Sequence, residues 1–327
     1  MVKKSVINLR DIKKTCDSIR KEVGKIVVGY QEIVNDLLVC LIARGHLFML
    51  GVPGIAKTTL AKTFATAIGL SWNRVQFTQD LLPSDIIGHY YYDQRNSTFQ
   101  LRKGPIFGEI ILADEINRAP PKTQSALIEA MQERQVTIEG KTFKLPDPFL
   151  VIATKNPIET EGVYPLPEAQ LDRFLYCSKM DYLPSDEEIE MLYRKNDGNN
   201  SSEISKSDIK TIRQLIGSHQ DVYVDNSVMK YILDIVNETR NNSNLVIGAS
   251  PRAAEHLLYA SKAYALINGL DYVIPDHIKK VTPKVLTHRL ILSADAELEG
   301  VSTDKIIDDI LTSIEIPDLV ESEIISR

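Results

Sequence analysis

Hydrophobic residues in the first two-thirds of the chain form short, nearly unbroken runs that alternate with stretches of helical period. Runs of this kind are typical of parallel β-strands that helices cover on both faces. The pattern therefore predicts an α/β fold with a five-stranded parallel sheet flanked by helices. The predicted strands occupy residues 46–50, 75–77, 110–113, 149–154 and 174–178.

From residue 184 onward the hydrophobic positions follow only the helical period. One helix is expected to begin with Ser250 as its N-cap and Pro251 at its first position, and to end near Gly269. The polar run 195–208 is typical of a flexible loop. Two domains are therefore expected, an N-terminal helix with an α/β domain over 1–183 and an all-helical domain over 184–327. The other helical faces consist of Ile209, Ile212, Leu215 and Ile216, of Val228, Ile232, Ile235 and Val236, and of Ile306, Ile307, Ile310, Leu311 and Ile314.

Two β-hairpins are predicted as insertions in the first domain. Residues 90–92 and 98–101 have strand character and flank a polar turn at 93–97. The stretch QVTIEGKTFKL has two strand-like runs around residues 139–141.

Composition and charge narrow the class of protein. Of the 327 residues, 43% are hydrophobic and 25% are charged, which is the balance of a soluble globular protein. The formal net charge of −6 argues against a general nucleic-acid surface but leaves a local basic channel open. There is no signal-peptide pattern and no apolar run long enough to span a bilayer, so a cytoplasmic protein without membrane insertion is expected. Three scattered cysteines are expected to be buried side chains.

The stretch GVPGIAKTTLAK at 51–62 lies between a predicted strand and a predicted helix, as a phosphate-binding loop (P-loop) requires. Ala56 replaces the second glycine of G-x-x-x-x-G-K-[ST], and its methyl group is tolerable if its φ is negative. Lys57 is expected to reach the phosphates of ATP, and the Thr58 hydroxyl to bind Mg²⁺. The alternative is a helix N-cap turn with a surface lysine. The predicted ATP-binding residues of the loop are Gly51, Val52, Pro53, Gly54, Ile55, Ala56, Lys57, Thr58 and Thr59.

Two further strands end in polar residues suited to phosphate chemistry. The run EIILADE ends in Asp114, a candidate Mg²⁺ ligand, and Glu115, a candidate base that would polarise water. The run FLVIATKNP ends near Asn156, whose amide could bind the attacking water or the γ-phosphate. A strand ending in acids is often only a strand reaching solvent, and Asn156 alone fits an Asn-Pro turn.

Taken together, the motifs resemble the MoxR family of AAA+ ATPases. The resemblance is carried by GVPGIAKT at 51–58, LADEINRAPPKTQSALIEAMQE at 112–133, ATKNPIETEGVYPLPEAQLDRF at 153–174 and GASPRAAEHLL at 248–258. It implies a P-loop AAA+ core followed by a small helical lid, and in that family alanine before the P-loop lysine is normal. The hairpins resemble insertions that magnesium-chelatase subunits and MCM helicases share.

The resemblance assigns roles to further residues. Asn156 matches sensor 1, Arg173 matches the arginine finger that completes a neighbouring subunit's site, and Arg252 matches sensor 2 on the lid. Val28 and Gly29 match the segment that packs against adenine. For Arg173 an intramolecular salt bridge to Asp172 or Glu168 stays open, and for Arg252 an exposed first-turn position. Arg118 is a weaker candidate for contacts across a subunit interface.

The function that the resemblance implies is an ATP-hydrolysing, chaperone-like remodelling protein that forms a homo-oligomer, expected to be a hexameric ring. Its client would be a partner protein complex, with a von Willebrand factor A domain protein and metal-cofactor insertion among the family's associations. Two alternatives remain at this point. One is a nucleic-acid motor of the MCM kind, with Lys103 and Lys141 meeting phosphates, and the other is an ATP-gated switch without turnover.

Overall fold

The computed structural model describes residues 9–196 and 203–317 of the chain. Residues 197–202 of the predicted loop 195–208 lie outside the described residues. The described chain forms two compact units, of which the first is Lys14–Ile216 and the second begins at Gly217 and includes the start of the N-terminal helix. Each unit is described by itself below.

The first unit is built on the predicted five-stranded parallel sheet. Its strands lie in the order β2 (Trp72–Gln76), β5 (Ile110–Asp114), β8 (Leu150–Lys155), β1 (Leu47–Gly51) and β9 (Tyr176–Met180). All five predicted strands are present. The strand β2 is longer than predicted. It is an edge strand and tolerates the polar residues Asn73 and Arg74, which interrupt the apolar run from which the strand was predicted. In chain order the strands of this unit are β1 (Leu47–Gly51), β2 (Trp72–Gln76), β3 (Gly88–Asp93), β4 (Thr98–Lys103), β5 (Ile110–Asp114), β6 (Gln135–Ile138), β7 (Lys141–Lys144), β8 (Leu150–Lys155) and β9 (Tyr176–Met180).

The sheet brings the carboxyl ends of its strands to one edge, because all neighbours run parallel. Every residue of β5 is buried, as is nearly all of β8, so the middle of the sheet is covered on both faces. This arrangement leaves the strand ends as the places where polar side chains can gather, as is usual for parallel α/β sheets.

Helices cover the sheet and connect its strands. The helices α7 and α8 belong to this unit, although the sequence placed them in the second domain. Two short 3₁₀ helices, Pro105–Phe107 and Ile116–Arg118, adjoin β5. The α-helices are α1 (Leu9–Gly24), α2 (Gln31–Ile42), α3 (Lys57–Ala67), α4 (Pro83–Ile87), α5 (Pro121–Glu133), α6 (Glu168–Leu171), α7 (Ser185–Asn196) and α8 (Ile209–Leu215).

Both predicted hairpins form. The first pairs β3 with β4, with Tyr92 opposite Phe99. These two rings contact each other edge to face at 5.3 Å between centroids, and both are largely exposed. The second pairs β6 with β7 through the two-residue turn Glu139 and Gly140, which both have positive φ as a tight hairpin turn requires.

The second unit is helical apart from one small sheet that the sequence did not predict. The strands β10 (Leu245–Ile247) and β11 (Ile291–Leu292) pair antiparallel. As predicted, Ser250 is the N-cap of a helix, its side chain accepting a hydrogen bond from the N–H of Ala253, and Pro251 is the first helical residue. The helices are α9 (Asn226–Asn241), α10 (Pro251–Ile267), α11 (Pro275–Leu286), α12 (Ala294–Leu298) and α13 (Thr303–Ser313), with a 3₁₀ helix at Ser218–Asp221.

The cysteines are buried, as the sequence predicted. Over residues 9–196 and 203–317 no helix is both long enough and apolar enough to cross a bilayer. Cys16, Cys40 and Cys177 are all buried free thiols. Burial raises the pKa of the Cys16 thiol to about 12, so this side chain behaves as a small apolar group.

Candidate functional site

The predicted P-loop connects β1 to α3 at the edge of the sheet where the strands end. Gly54 has a φ of +83°, and a Cβ built on it would have no neighbouring atom within 4 Å. The loop is therefore open at Gly54, and α3 begins three residues further on, at Lys57. A helix N-terminus facing open space is suited to bind phosphate oxygens, so the residues present fit a nucleotide.

Ala56 has a φ of +63°, so the condition of a negative φ, under which its methyl group would cost nothing, is not met. It is the N-cap of α3 and adopts the left-handed conformation that the consensus glycine would adopt without strain. An alanine in this region costs roughly 1–2 kcal/mol relative to a right-handed one. The loop thus has the left-handed conformation at residue 56 that the consensus glycine favours, although Ala56 adopts it at a higher energy than glycine would.

Replacing Ala56 with glycine is expected to stabilise the first unit. Relief of the left-handed strain outweighs the extra freedom of glycine in the unfolded chain, for a net gain of about 0.5–1 kcal/mol in the free energy of unfolding. Urea titration of Ala56→Gly measures this. Ala126→Gly, within α5, is the matched control and is expected to destabilise by about 0.5–1 kcal/mol. A loss of stability in Ala56→Gly would contradict the strain argument.

Lys57 is the first residue of α3, and its ammonium group lies among acidic side chains. Nζ donates a hydrogen bond to the carbonyl of Gly51 at 2.7 Å, which holds the side chain back along the loop. Burial lowers the pKa of Lys57, and the carboxylates of Asp114, Glu115 and Glu159 act in the opposite direction. The lysine is therefore a buried cation at the phosphate loop, which excludes the alternative of a surface lysine.

Asp114 ends β5 and is held by two donors. Its Oδ1 accepts a hydrogen bond from the hydroxyl of Thr154 at 2.6 Å, and its Oδ2 accepts from the Arg74 guanidinium at 2.7 Å. Oδ2 also accepts a hydrogen bond from Nε of Arg74 at 3.1 Å, so Oδ1 is the oxygen that keeps a further lone pair. With the half-buried Thr58 hydroxyl at the start of α3, these hard oxygen donors fit Mg²⁺ that binds together with substrate phosphates.

Glu115 follows directly and is the N-cap of the 3₁₀ helix Ile116–Arg118 with a φ of +57°. Its N–H donates to the hydroxyl of Thr154, so one threonine fixes both acidic residues. Its Oε2 accepts a hydrogen bond from Gln76 on β2 at 2.7 Å and lies 3.1 Å from Nε of Arg118. Glu115 is therefore a carboxylate held by a hydrogen bond from the Gln76 amide and by an ion pair with Arg118.

Asn156 is buried just beyond the end of β8, as the sequence predicted for a strand tip. Its Oδ1 accepts a hydrogen bond from the N–H of Ile158 at 3.2 Å. A hydrogen bond from Asn156 also reaches Glu159, in the loop after β8. Glu159 in turn accepts two hydrogen bonds from Arg118, at 2.9 Å and 2.6 Å. Asn156, Glu159, Arg118 and Glu115 thus form one connected polar network.

The segment predicted to contact adenine packs against the start of α7. Gly29 has a φ of +68°, and a Cβ there would lie 2.6 Å from Cδ2 of Leu183 and closer still to the carboxylate of Glu187. Val28 beside it is buried. The following Tyr30 donates its hydroxyl to the carbonyl of Asp181 at 2.9 Å, which fastens the segment to the chain after β9.

Arg173 lies at the opposite edge of the sheet from the P-loop of its own chain. It precedes β9, and the N–H of Leu175 donates to the carbonyl of His46, which precedes β1. A strand of five residues is about 16 Å long, so a guanidinium at the strand start is remote from the loop at the strand end. Its Nε donates to Gln132 near the end of α5 at 2.8 Å.

Arg252 belongs to the second unit, where it is a half-buried residue in the first turn of α10. The Ser250 cap and Pro251 fix the start of this helix, and hence the place of Arg252 within its unit.

Four residues of the cluster were not predicted to act there, namely Arg74, Gln76, Thr154 and Glu159. Arg74 and Gln76 are two positions apart and so lie on the same face of β2, the strand next to β5. This spacing of two polar residues was the sequence pattern that could have predicted their place in the cluster. For Glu159, in an irregular loop, the sequence offers no comparable pattern.

A cavity of about 320 Å³ lies at the other edge of the sheet, bordered by Arg44, Arg134, Asp147 and Phe149. It contains none of the predicted site residues. The two hairpin lysines considered for nucleic acid each lie over an aromatic ring, Lys103 over Phe107 at 4.9 Å and Lys141 over Tyr90 at 5.3 Å.

Comparison with known families gives two matches in this chain. The profile described as the ATPase family associated with various cellular activities (AAA) matches residues 46–176, which contain the P-loop, Asp114, Glu115 and Asn156. The profile described as the AAA lid domain matches residues 237–310, which contain Arg252.

Similar proteins cover almost the whole chain. The uncharacterized protein YeaC of Bacillus subtilis is 43% identical over 306 residues, which are 91% of this chain and 93% of YeaC. Chaperone MoxR1 of Mycobacterium tuberculosis is 42% identical over 307 residues, which are 90% of this chain and 81% of MoxR1. The crystal structure of a protein from Cytophaga hutchinsonii matches with a TM-score of 0.89 and 42% identity, over 95% of this chain and 97% of that one.

Proposed function

Because the chain belongs to the MoxR family of AAA+ ATPases, we propose that it binds ATP with Mg²⁺ at the P-loop and hydrolyses it to ADP and phosphate. One observation carries the proposal: Lys57, the two acids that end β5 and the amide beyond β8 meet at one edge of the sheet, beside a loop that is open at Gly54. Three separate segments supply these groups.

The residues divide the chemistry among them. Lys57 and the N–H groups at the start of α3 bind phosphate oxygens, and Thr58 and Asp114 hold Mg²⁺, which neutralises phosphate charge when bound. Glu115 orients a water molecule and accepts its proton, since a fixed carboxylate at this place can act as a general base. Asn156 binds the water or the γ-phosphate from the neighbouring strand. Val28 and Gly29 lie against the adenine.

We further propose that the protein acts as a homo-oligomeric ring, with six subunits as the family resemblance implies. The position of Arg173 supports this, because a guanidinium at the far edge of the sheet is suited to a neighbouring subunit's site and not to its own. Head-to-tail contacts that close into a ring place each arginine against the next subunit's phosphates. Arg252 on the lid is the second arginine proposed to contact the γ-phosphate.

The proposed biological role is chaperone-like remodelling or maturation of a partner protein complex in the cytoplasm. The name of the relative Chaperone MoxR1 supports this role. A von Willebrand factor A domain protein as client, and insertion of a metal cofactor into it, follow from the family resemblance alone. The exposed rings of Tyr92 and Phe99, which contact each other on the first hairpin, offer an apolar surface for such a client.

Calorimetric titration with ATP·Mg²⁺ and steady-state phosphate release test the activity directly. Lys57→Ala is expected to weaken ATP binding about 10–100-fold, through loss of a charge-assisted contact to phosphate. Lys62→Ala, on the exposed face of the same helix, is the matched control and should bind ATP as the wild type does. Equal ATP affinity in Lys57→Ala and Lys62→Ala would contradict the proposed site.

Phosphate release and DNA binding distinguish this function from the two alternatives, a switch without turnover and a nucleic-acid motor. ATP binding without phosphate release, at concentrations that favour assembly, would support a switch without turnover. DNA binding that weakens steeply with salt would support a nucleic-acid motor.

A further inference from the structure

Glu159 lies in the loop after β8, within the motif at 153–174, where the resemblance assigns roles to Asn156 and Arg173 but none to Glu159. Its carboxylate accepts both Nε and NH2 of Arg118, at 2.9 Å and 2.6 Å, in the bidentate geometry that fixes a guanidinium most firmly. The hydrogen bonds from Arg118 are the main reason that the pKa of Glu159 is lowered. Glu159 is thus an anion whose principal partner is Arg118.

Arg118 is shared between two carboxylates. Its Nε, which donates to Glu159, also lies 3.1 Å from Oε2 of Glu115, a longer contact. The same pairing with Glu159 raises the pKa of Arg118, so the guanidinium stays charged. Because Glu159 accepts two hydrogen bonds from Arg118, the guanidinium does not form a bidentate pair with Glu115.

A bidentate ion pair with Arg118 would make Glu115 a weaker general base. A carboxylate whose lone pairs are bound by a guanidinium has less affinity for a proton and less room for a water molecule. Gln76 already occupies Oε2 of Glu115, and Asp114 and Lys57 are the other charged groups nearby. Glu115 therefore stays accessible to water only while the principal hydrogen bonds of Arg118 go to Glu159.

We propose that Glu159 is a positioning residue for ATP hydrolysis, which holds the Arg118 guanidinium in a bidentate pair, keeps its contact with Glu115 to the longer ion pair, and so leaves the Glu115 carboxylate available to water. Glu159 also accepts a hydrogen bond from Asn156 and so connects the sensor 1 amide to the same guanidinium. The proposal rests on the proposed function, since it presumes that Glu115 is the base.

Glu159→Gln tests the proposal, because the amide keeps the shape but not the charge that holds Arg118. We expect kcat to fall about tenfold, because Arg118 then competes with water for the Glu115 carboxylate, while KM for ATP changes little. Glu161→Gln, an exposed carboxylate in the same loop, is the matched control and should have wild-type kcat. A melting temperature equal to that of the wild type shows that the variant is folded.

A double variant tests whether Arg118 causes the loss of kcat in Glu159→Gln. In Arg118→Gln/Glu159→Gln no guanidinium remains to pair with Glu115, so kcat should rise above that of Glu159→Gln and match that of Arg118→Gln. A double variant no faster than Glu159→Gln would overturn the proposal, as would wild-type kcat in Glu159→Gln. If the wild type itself releases no phosphate, the proposed function fails. If the wild type turns over and Glu115→Gln does not, the proposed function stands whatever Glu159 does.

Discussion

Glu115→Gln is expected to bind ATP as tightly as the wild type and to hydrolyse it at least about 100-fold more slowly. The amide has the shape of the carboxylate and can still accept the hydrogen bond from Gln76, so the fold of the site is retained. It cannot accept a proton from water, which removes the base. Calorimetric titration measures the binding, and steady-state phosphate release measures the turnover.

The control for this experiment is Glu129→Gln, which removes an exposed carboxylate from α5 and should turn over as the wild type does. Unchanged phosphate release in Glu115→Gln would remove Glu115 from the mechanism. Because the variant holds ATP without cleaving it, it is also the form best suited to retain a client in affinity capture.

Arg173→Ala is expected to bind ATP normally and to lose activity by a factor of about 10³–10⁵, the range measured for arginine fingers. The side chain lies at the edge of the sheet where the strands begin, so its removal leaves the P-loop of its own subunit intact. The loss arises because no guanidinium reaches the γ-phosphate of the neighbouring subunit. Phosphate release at several protein concentrations, together with ATP titration, measures both effects.

Mixing variants distinguishes action on a neighbour from action within one chain. An equimolar mixture of Arg173→Ala and Glu115→Gln should regain activity, because about a quarter of the interfaces in randomly mixed rings join an intact base to an intact finger. The mixture of Arg173→Ala with the double variant Glu115→Gln/Arg173→Ala contains no such interface and should stay inactive. Equal inactivity of both mixtures, with mixed rings shown to form, would exclude catalysis in trans.

The central sheet was predictable because its signal is local. Each strand is a short apolar run buried on both faces, and β5 and β8 are the clearest cases. The hairpins were predictable for a similar reason, since the turn Glu139–Gly140 lies between the strands it joins. The edge strand β2 was predicted too short, because an edge strand tolerates polar residues that interrupt the pattern.

The polar network around Glu115 was only partly predictable. Asp114, Glu115 and Asn156 follow directly after strands, and parallel strands end at one edge, so their proximity could be inferred. Arg118 was considered for a subunit interface, but the structure pairs it with Glu115 and Glu159 in its own chain. No local pattern marks Glu159, because its partner is 41 positions away in the sequence.

The sequence by itself determined the P-loop, the order of strands and helices, and the residues suited to phosphate chemistry, because strand–loop–helix motifs depend on neighbouring residues. The tertiary structure decided the left-handed conformation of Ala56, the sharing of Arg118 between two carboxylates, and the far-edge position of Arg173. These features arise from segments that are distant in the chain and meet only when the sheet assembles. Side-chain pairing across a sheet depends on strand order and register, which hydrophobic periodicity does not specify.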